Sequence, residues 1–279
     1  MNWNEKNKYK IAILDLNDGF ENQGMRCLRD ITKKWSEEND YSITVEEFNV
    51  REKHEVPGTD FDIYISSGGP GSPLDSKETE WEKHYFKWLQ KIEKWNNDES
   101  NFQKKHVFFI CHSFQLVCRH YNVANVNKRK STSFGVFPIH LMQDGSEETV
   151  FEGLQNPFYA VDSRDYQVTA PDHEKIREMG GKILALEKER PHVPFERAIM
   201  AMRFNNYFIG TQFHPEADAC GMTLHLLKED KKKIVIENHG EEKWKSMIEH
   251  LNDPDKIVLT YNHVLPNFLN HAVSNLVAA

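Results

Sequence analysis

The chain has 279 residues and a formal net charge of −8, with 43 acidic against 35 basic side chains. Apolar residues make up 39% of it and aromatic residues 11%, enough for a sizeable core, which excludes a disordered chain. The acidic balance and the lack of a sustained basic stripe argue against nucleic-acid binding. Since the N-terminus is polar and no apolar run reaches membrane-spanning length, we expect a soluble protein without a membrane partner.

The four cysteines are scattered along the chain, at Cys27, Cys111, Cys118 and Cys220. No Cys-x-x-Cys pair suggests a zinc site, and the spacing does not suggest a disulfide framework. We therefore expect a protein of a reducing compartment, located in the cytoplasm, with no cofactor and no metal ion.

Strands and helices alternate in the first hundred residues. Short apolar runs predict strands at 10–16, 43–48 and 61–66, and apolar side chains at helical spacing predict helices at 24–38 and 80–95. Strands joined by helices are typical of an open parallel sheet, so the predicted fold is α/β with a mostly parallel sheet flanked by helices.

A glycine-rich segment, residues 66–73, follows the third predicted strand and has the sequence SSGGPGSP. Its three glycines and two prolines exclude the interior of a helix or a sheet. We interpret it as a tight loop at the carboxyl edge of the sheet, where glycines let backbone N–H groups approach a ligand. A plain turn is the alternative, and a phosphate loop is disfavoured because the Gly-Lys-Ser/Thr ending is missing.

A cysteine stands at the same predicted edge. The buried strand 107–110 runs straight into Cys111, and a helical pattern begins behind it. The N–H groups of a first helical turn favour negative charge, which activates a thiol and provides donors for an oxyanion. A nucleophile fits this position, and a buried free cysteine is an equally good interpretation of Cys111 taken alone.

The second half of the chain contains short strands without helices between them, which predicts an antiparallel section attached to the parallel sheet. These strands are predicted at 134–141, 158–161, 183–186, 198–202 and 207–211, with a turn at Asn205 and Asn206. Helical patterns at 223–229, 241–251 and 264–276 predict a C-terminal helical appendage packed on the sheet.

The last predicted strand leads directly to His214-Pro215-Glu216. On an extended chain the side chains of His214 and Glu216 project to the same side. A carboxylate beside an imidazole orients the ring, and an imidazole near a thiol converts the thiol to a thiolate. A metal site here is disfavoured because the sequence offers no third ligand at a suitable spacing.

Three segments together resemble the class I, or triad-type, glutamine amidotransferase domain: residues 68–73 (GGPGSP), 109–115 (FICHSFQ) and 212–216 (QFHPE). Within this family, the chain resembles the stand-alone proteins that are named after the amidotransferase half of GMP synthase. The resemblance covers residues 10–222 and implies a flavodoxin-like fold. It implies a domain at 8–222 and a C-terminal helical extension at 223–279 that packs on the same domain.

The resemblance implies a glutaminase that needs no cofactor. Cys111 would attack the side-chain amide of glutamine, His214 would carry the proton to the leaving ammonia, and Glu216 would orient His214. The oxyanion donors would be the backbone N–H groups of His112 and Gly69. Hydrolysis of the thioester would give glutamate.

Residues near these three segments are implied to bind the substrate: Gln115, Gly68, Gly71, Ser163, Arg164 and Asp165. The chain also departs from the family pattern. Phe109 and Ser113 stand where glycines are usual, and a bulkier turn would misalign the thiol or narrow the pocket. Ser163-Arg164-Asp165 stands where His-Gly-Asp is frequent. We expect the side chain of His112 to be exposed.

Three functions remain open. The first is a glutaminase that supplies ammonia to a separate synthetase, because we find no ATP-binding segment after the tail. The second is hydrolysis of a γ-glutamyl peptide or conjugate, which the altered Ser163-Arg164-Asp165 segment favours. The third is a non-catalytic regulatory or binding protein, which Phe109 and Ser113 favour and the complete cysteine, histidine and glutamate set disfavours.

Overall fold

The computed structural model describes residues 7–19, 22–192, 194–251, 253 and 256–277. Nine strands form a single sheet. The strands are β1 (Lys8–Asp15), β2 (Ser42–Asn49), β3 (Ile63–Ser66), β4 (His106–Ile110), β5 (Asn125–Leu141), β6 (Phe158–Thr169), β7 (Lys182–Glu187), β8 (Ile199–Arg203) and β9 (Phe208–Thr211).

Ten α-helices accompany these strands in the described part of the chain. They are α1 (Gln23–Glu38), α2 (Val50–Lys53), α3 (Glu80–Asn97), α4 (His112–His120), α5 (Gln143–Ser146), α6 (His173–Glu178), α7 (Ala219–Leu226), α8 (Glu229–His239), α9 (Glu241–Leu251) and α10 (Ile257–Val277). A 3-10 turn at Thr149–Phe151 precedes β6.

The sheet has a parallel half and an antiparallel half. Its strand order is β2-β1-β3-β4-β9-β8-β7-β5-β6. The pairs from β2 to β9 are parallel, and the pairs from β9 to β6 are antiparallel. The predicted α/β fold, with a parallel section, an antiparallel section and flanking helices, is confirmed.

The central parallel strands β3, β4 and β9 are buried along their whole length because helices cover both faces of this part of the sheet. Ile11 and Ile13 of β1 pack into one core with α1 and α10. Ala12 and Leu14, which point to the other face, pack into a second core with α3 and α4. The carboxyl ends of β3, β4 and β9 therefore lie side by side between two fixed layers of helices.

Two strands of the antiparallel half are longer than predicted. The sequence predicts strands only at 134–141 and 158–161, whereas β5 begins at Asn125 and β6 continues to Thr169. Their extra length is mostly polar, and the pairing of β5 with β6 shifts register between Lys128 and Ser133. The missing alternation of apolar and polar side chains explains the shorter prediction.

The last four helices start with α7, directly after the carboxyl edge of β9. Helices α7, α8 and α9 share a small core with Val161 of β6. Helix α10 instead buries Leu265, Phe268 and Leu269 in the same core as α1. None of the described helices is long and apolar enough to span a membrane.

Candidate active site

Cys111 lies in the turn between β4 and α4. Its φ of 49° and ψ of −99° fit neither a helix nor a strand, and a side chain in such a conformation costs about 1–3 kcal/mol. Its N–H donates to the carbonyl oxygen of Thr211 at 2.7 Å, and its own carbonyl oxygen accepts from the N–H of Gln115 at 3.0 Å. These bonds hold a sharp strand-to-helix turn of the kind that presents nucleophiles at a sheet edge.

An imidazole and a carboxylate follow β9 at the same edge. The N–H of His214 donates to the carbonyl oxygen of Val161 at 2.8 Å, which fixes the backbone at this point. The side chain of His214 has Nδ1 2.8 Å from Oε1 of Glu216. Glu216 is 4% exposed, and its Oε2 has no hydrogen-bond partner among the described residues.

The thiol and the imidazole of this edge interact. Burial alone would lower the pKa of His214, but its interactions with Glu216 and Cys111 raise that pKa well above its ordinary value. A raised histidine pKa favours the imidazolium, which pairs with the carboxylate of Glu216. The three side chains therefore form one electrostatic unit.

The glycine loop contacts both groups. A Cβ atom on Gly68 would lie 2.9 Å from Cε1 of His214 and 3.6 Å from Cβ of Cys111. A Cβ atom on Gly69 would lie 2.2 Å from the carbonyl oxygen of Leu16, closer than any side chain tolerates. Both positions need glycine because the loop passes so close to its neighbours.

Two backbone N–H groups at this edge are free. Neither the N–H of His112 nor that of Gly69 donates to another group in the described part of the chain. An unpaired N–H at the first residue of a helix is expected, because it has no partner one turn earlier. Gly71 lies further out, with a φ of 89°, and Arg51 Nη1 bonds the neighbouring carbonyl oxygen of Pro70 at 2.7 Å.

The expectation of an exposed His112 side chain is wrong. His112 is 2% exposed, and its Nε2 has no hydrogen-bond partner within the described residues. Burial, together with the positive charges of Arg51 and Arg119, lowers the pKa of His112 to about 3. The side chain of His112, in the first turn of α4, thus faces the interior.

The 163–165 segment meets the site through its backbone. The thiol of Cys111 lies 3.7 Å from the carbonyl oxygen of Ser163, whose side chain is exposed. Asp165 is also exposed and accepts from the hydroxyl of Thr132. Because side chains alternate along a strand, Arg164 points the other way.

The side chain of Arg164 is buried among carboxylates. It is 1% exposed, with Nε bonded to both oxygens of Asp162 at 2.9 and 3.0 Å and Nη2 bonded to Glu187 at 3.2 Å. The structure does not bring this guanidinium together with the thiol. Arg164 instead anchors the strand whose carbonyl group touches Cys111.

Two linked buried amides lie beside the thiol, and Gln212 is the one that contacts the sulfur. Gln212 has Nε2 3.6 Å from Sγ of Cys111, and Gln115 has Nε2 3.0 Å from Oε1 of Gln212. The sequence suggests a role for Gln115 but none for Gln212. The sequence signal for Gln212 was its position directly after an apolar strand. A buried amide there requires hydrogen-bond partners.

Ser113 and Phe109, which stand where the family usually has glycines, both fit the structure. The hydroxyl of Ser113 lies 2.9 Å from the carbonyl oxygen of Ser66 and accepts from the N–H of Ile110 at 2.8 Å. It thus joins β3, which leads into the glycine loop, to the strand that carries Cys111.

Phe109 points away from the thiol. Its ring packs edge-on against Phe204 and Phe208, with centroids 6.1 and 6.0 Å apart. Gly210 pairs with Phe109 across the two strands, and a Cβ atom on Gly210 would lie 3.2 Å from Cβ of Phe109. The space for the larger side chain comes from the neighbouring strand, so the turn is not displaced.

A model of the class I glutamine amidotransferase family matches residues 12–234, well over half of the chain. The chain belongs to the class I glutamine amidotransferase family. This membership supports an enzyme that acts on the side-chain amide of glutamine. No curated protein sequence matches the chain.

Solved structures of amidotransferases have the same fold. A glutamine amidotransferase from Thermotoga maritima is 15% identical, with a TM-score of 0.66 over 95% of this chain and 98% of that one. The glutaminase domain of CTPS from Trypanosoma brucei, solved with bound acivicin, is 14% identical, with a TM-score of 0.57 over 95% and 94%. A glutamine amidotransferase from Methylobacillus flagellatus is 11% identical, with a TM-score of 0.53 over 98% and 95%.

The described residues contain no group of three or more histidine, cysteine, aspartate or glutamate side chains that could hold a metal ion. His214 and Glu216 form a pair of side chains without a third ligand. The chemical groups that this edge provides include the thiol, the imidazole, the carboxylate and the free backbone N–H groups.

Proposed function

We propose that the protein hydrolyses the side-chain amide of glutamine through a thioester on Cys111. The observation that carries this proposal is the raised pKa of His214 between a thiol and the carboxylate of Glu216, at a strained turn beside a glycine loop. An imidazolium–thiolate pair at such a turn is a prepared nucleophile.

The proposed reaction has two halves. The thiolate of Cys111 attacks the amide carbon, and the oxyanion accepts hydrogen bonds from the N–H groups of His112 and Gly69. His214 protonates the leaving nitrogen, the C–N bond breaks, and ammonia leaves a thioester. His214 then takes a proton from water, the hydroxide attacks the thioester, and the C–S bond breaks to give glutamate and the thiolate. Glu216 orients the ring and stabilises its charge throughout.

The glutamine pocket is proposed to lie between the glycine loop and the 163–165 segment. Gly68 and Gly71 have no side chains that would fill the pocket. The exposed side chains of Ser163 and Asp165 line the outer side of the pocket. Arg164 supports this wall from beneath, because its buried ion pairs hold the strand. Both hydrogens of the Gln115 side-chain amide, on Nε2, have partners. The side-chain oxygen Oε1 of Gln115 has no hydrogen-bond partner among the described residues.

A glutaminase assay tests the proposal directly. We expect the wild-type chain to release ammonia and glutamate from glutamine, and Cys111→Ala to lose this activity. Cys118→Ala is the matched control, because that thiol is buried in the core behind the site. A glutamine-like chloroketone should label Cys111 in the wild type, and mass spectrometry locates the label. Absence of both activity and labelling would leave a non-catalytic binding protein.

Substrate choice is a separate question with the same assay. The 163–165 segment, in which Ser163 and Asp165 are exposed, differs from the pattern of the family, which favours γ-glutamyl peptides or conjugates as a second candidate substrate. Activity on γ-glutamyl compounds without activity on glutamine would replace the first proposal by the second.

We also propose a separate ammonia-accepting synthetase as partner. The four free cysteines support a cytoplasmic location, which we propose as well. The helices after residue 222 are proposed to be an extension of one amidotransferase domain at 8–222. A partner that raises glutaminase activity on co-purification, and loses this effect when the extension is altered, would support both.

A further inference from the structure

The thiol of Cys111 is the end of a chain of two buried amides. Nε2 of Gln212 lies 3.6 Å from Sγ of Cys111. Nε2 of Gln115 lies 3.0 Å from Oε1 of Gln212 and 3.3 Å from the carbonyl oxygen of Tyr166. Gln212 is 0% and Gln115 2% exposed, so water does not compete for these bonds.

The carbonyl group of Tyr166 fixes the direction of this chain, because a backbone carbonyl oxygen only accepts hydrogen bonds. Gln115 must turn its amide nitrogen towards Tyr166, and the second hydrogen of that nitrogen then reaches Oε1 of Gln212. Gln212 is left with its nitrogen towards the sulfur. Rotating either amide by half a turn would set two acceptors or two donors against each other.

We propose that Gln212 is a catalytic residue that donates an N–H to the thiolate of Cys111, and that Gln115 is a positioning residue that holds the amide of Gln212 in this orientation. A donor to the charged form of a group favours that form. Gln212 thus provides a hydrogen-bond donor to the sulfur in addition to the interaction with His214.

The same bond acts a second time during turnover, a role that rests on the proposed function. In the thioester the sulfur is neutral and accepts weakly. When water has added and the C–S bond breaks, the electron pair returns to sulfur, and the N–H of Gln212 again bonds a thiolate. Gln212 therefore stabilises the leaving group of the second half-reaction.

Titratable groups also surround the sulfur, and Gln212→Leu leaves all of them unchanged. Within the described part of the chain, the titratable side chains that interact with the Cys111 thiol are His214 and, behind it, Glu216. The glycine loop and β6 present backbone groups to the sulfur. A change in thiol behaviour in Gln212→Leu, which introduces no charge, is therefore caused by the loss of that amide.

The experiment measures the rate of Cys111 alkylation by iodoacetamide against pH, with the site of modification located by mass spectrometry. Gln212→Leu removes the donor and should raise the midpoint of the profile by about one pH unit. Gln212→Glu keeps the shape but sets a carboxylate against the sulfur, and should raise the midpoint further. Gln115→Glu should also raise the midpoint, although residue 115 does not contact the sulfur. Gln212 must then turn its amide oxygen towards the sulfur.

Gln167→Glu is the matched control. Gln167 is a half-buried amide on the same strand as Tyr166 and bonds Asn127 and Arg129 instead of the thiol. This variant should keep the wild-type profile. Thermal melts verify that every variant is folded, and Gln212→Glu, which keeps the volume of the side chain, preserves the test if Gln212→Leu does not fold.

Superimposable profiles for the wild type and both Gln212 variants would overturn the role of Gln212. A wild-type profile for Gln115→Glu, with shifted profiles for Gln212, would overturn the role of Gln115. If the wild type proves unable to hydrolyse glutamine while the variants shift the profile, the contact with the thiol stands and the proposed function fails. If it hydrolyses glutamine, kcat should fall about tenfold in Gln212→Leu with a smaller change in KM.

Discussion

The hydroxyl of Ser113 lies 2.9 Å from the carbonyl oxygen of Ser66, and this contact ties the strand before the glycine loop to the turn that carries the nucleophile. The same hydroxyl accepts from the N–H of Ile110 at 2.8 Å. One buried side chain thus sets the spacing between the two segments that are proposed to supply the thiol and one oxyanion donor.

Ser113→Ala should separate these segments slightly. Removing the hydroxyl leaves the buried N–H of Ile110 unpaired, which costs about 1–3 kcal/mol of unfolding free energy. We expect kcat to fall more than KM changes, because the oxyanion donor moves relative to the thiol. Ser36→Ala is the control, since Ser36 bonds only a carbonyl oxygen of its own helix. Wild-type stability and kcat in Ser113→Ala would contradict the proposed brace.

The two glycines of the loop should respond differently to alanine. In Gly68→Ala the new Cβ meets the ring of His214, 2.9 Å away, so kcat should fall in a folded protein. In Gly69→Ala the new Cβ meets the backbone of Leu16 at 2.2 Å, so the melting temperature should fall as well. Gly58→Ala, which meets only the exposed end of Asp60, should be close to wild type in both measurements.

Glu216→Gln should make the charged, imidazolium form of His214 less stable. Glu216 contributes charge and a hydrogen bond that raise the pKa of His214, so the pKa of the ring should fall when that charge is removed. We expect kcat to fall about 100-fold or more, with the ring titration followed by NMR. Glu148→Gln removes a carboxylate that is paired with Arg203, outside the proposed catalytic set, and should lower stability without lowering kcat. An unchanged ring titration in Glu216→Gln would exclude the proposed electrostatic role.

Acid should destabilise the fold through buried histidines. Burial, together with the charges of His271 and Arg203, lowers the pKa of His106 to about 3. Below the ordinary histidine pKa of about 6.5 the unfolded chain binds a proton that the folded chain refuses, so stability falls as pH falls from about 6.5 towards 3. At pH 5 the loss from His106 is about 2 kcal/mol.

His106→Phe tests this because it keeps an aromatic ring beside Tyr207 and His271. Denaturant unfolding at pH 7 and pH 5 should show a difference smaller by about 2 kcal/mol in His106→Phe than in the wild type. His173→Gln changes an exposed histidine and should keep the wild-type difference. Equal pH dependence in all three proteins would exclude His106 as a source of acid lability.

The parallel half of the fold could be predicted because its strands other than β2 contain short apolar runs. The polar part of β5 could not, since backbone pairing with β6 holds it without a repeating pattern. Helix α8 was also missed, because its apolar residues Ile234, Val235 and Ile236 are consecutive and do not show helical spacing.

The site was predictable as far as it is carried by short segments. Cys111, His214 and Glu216 follow directly after strands, and parallel strands bring their carboxyl ends together. The contact of Gln212 with the thiol depends on how β4 and β9 meet, which no local pattern expresses. The burial of His112 depends on packing beneath Arg51 and Arg119, which the polarity of a histidine does not reveal.

The pairing of Phe109 with Gly210 makes these two positions epistatic. Restoring glycine at 109 alone would leave a void the size of a phenyl ring, which costs about 3–5 kcal/mol, and a large residue at 210 alone would collide with both Phe109 and Phe114. Only a simultaneous exchange conserves volume. A lineage that crosses between the two arrangements by single replacements passes through a less stable intermediate, and in the paired exchange a side chain at 210 still meets Phe114, whose Cδ2 would lie 2.7 Å from its Cβ atom.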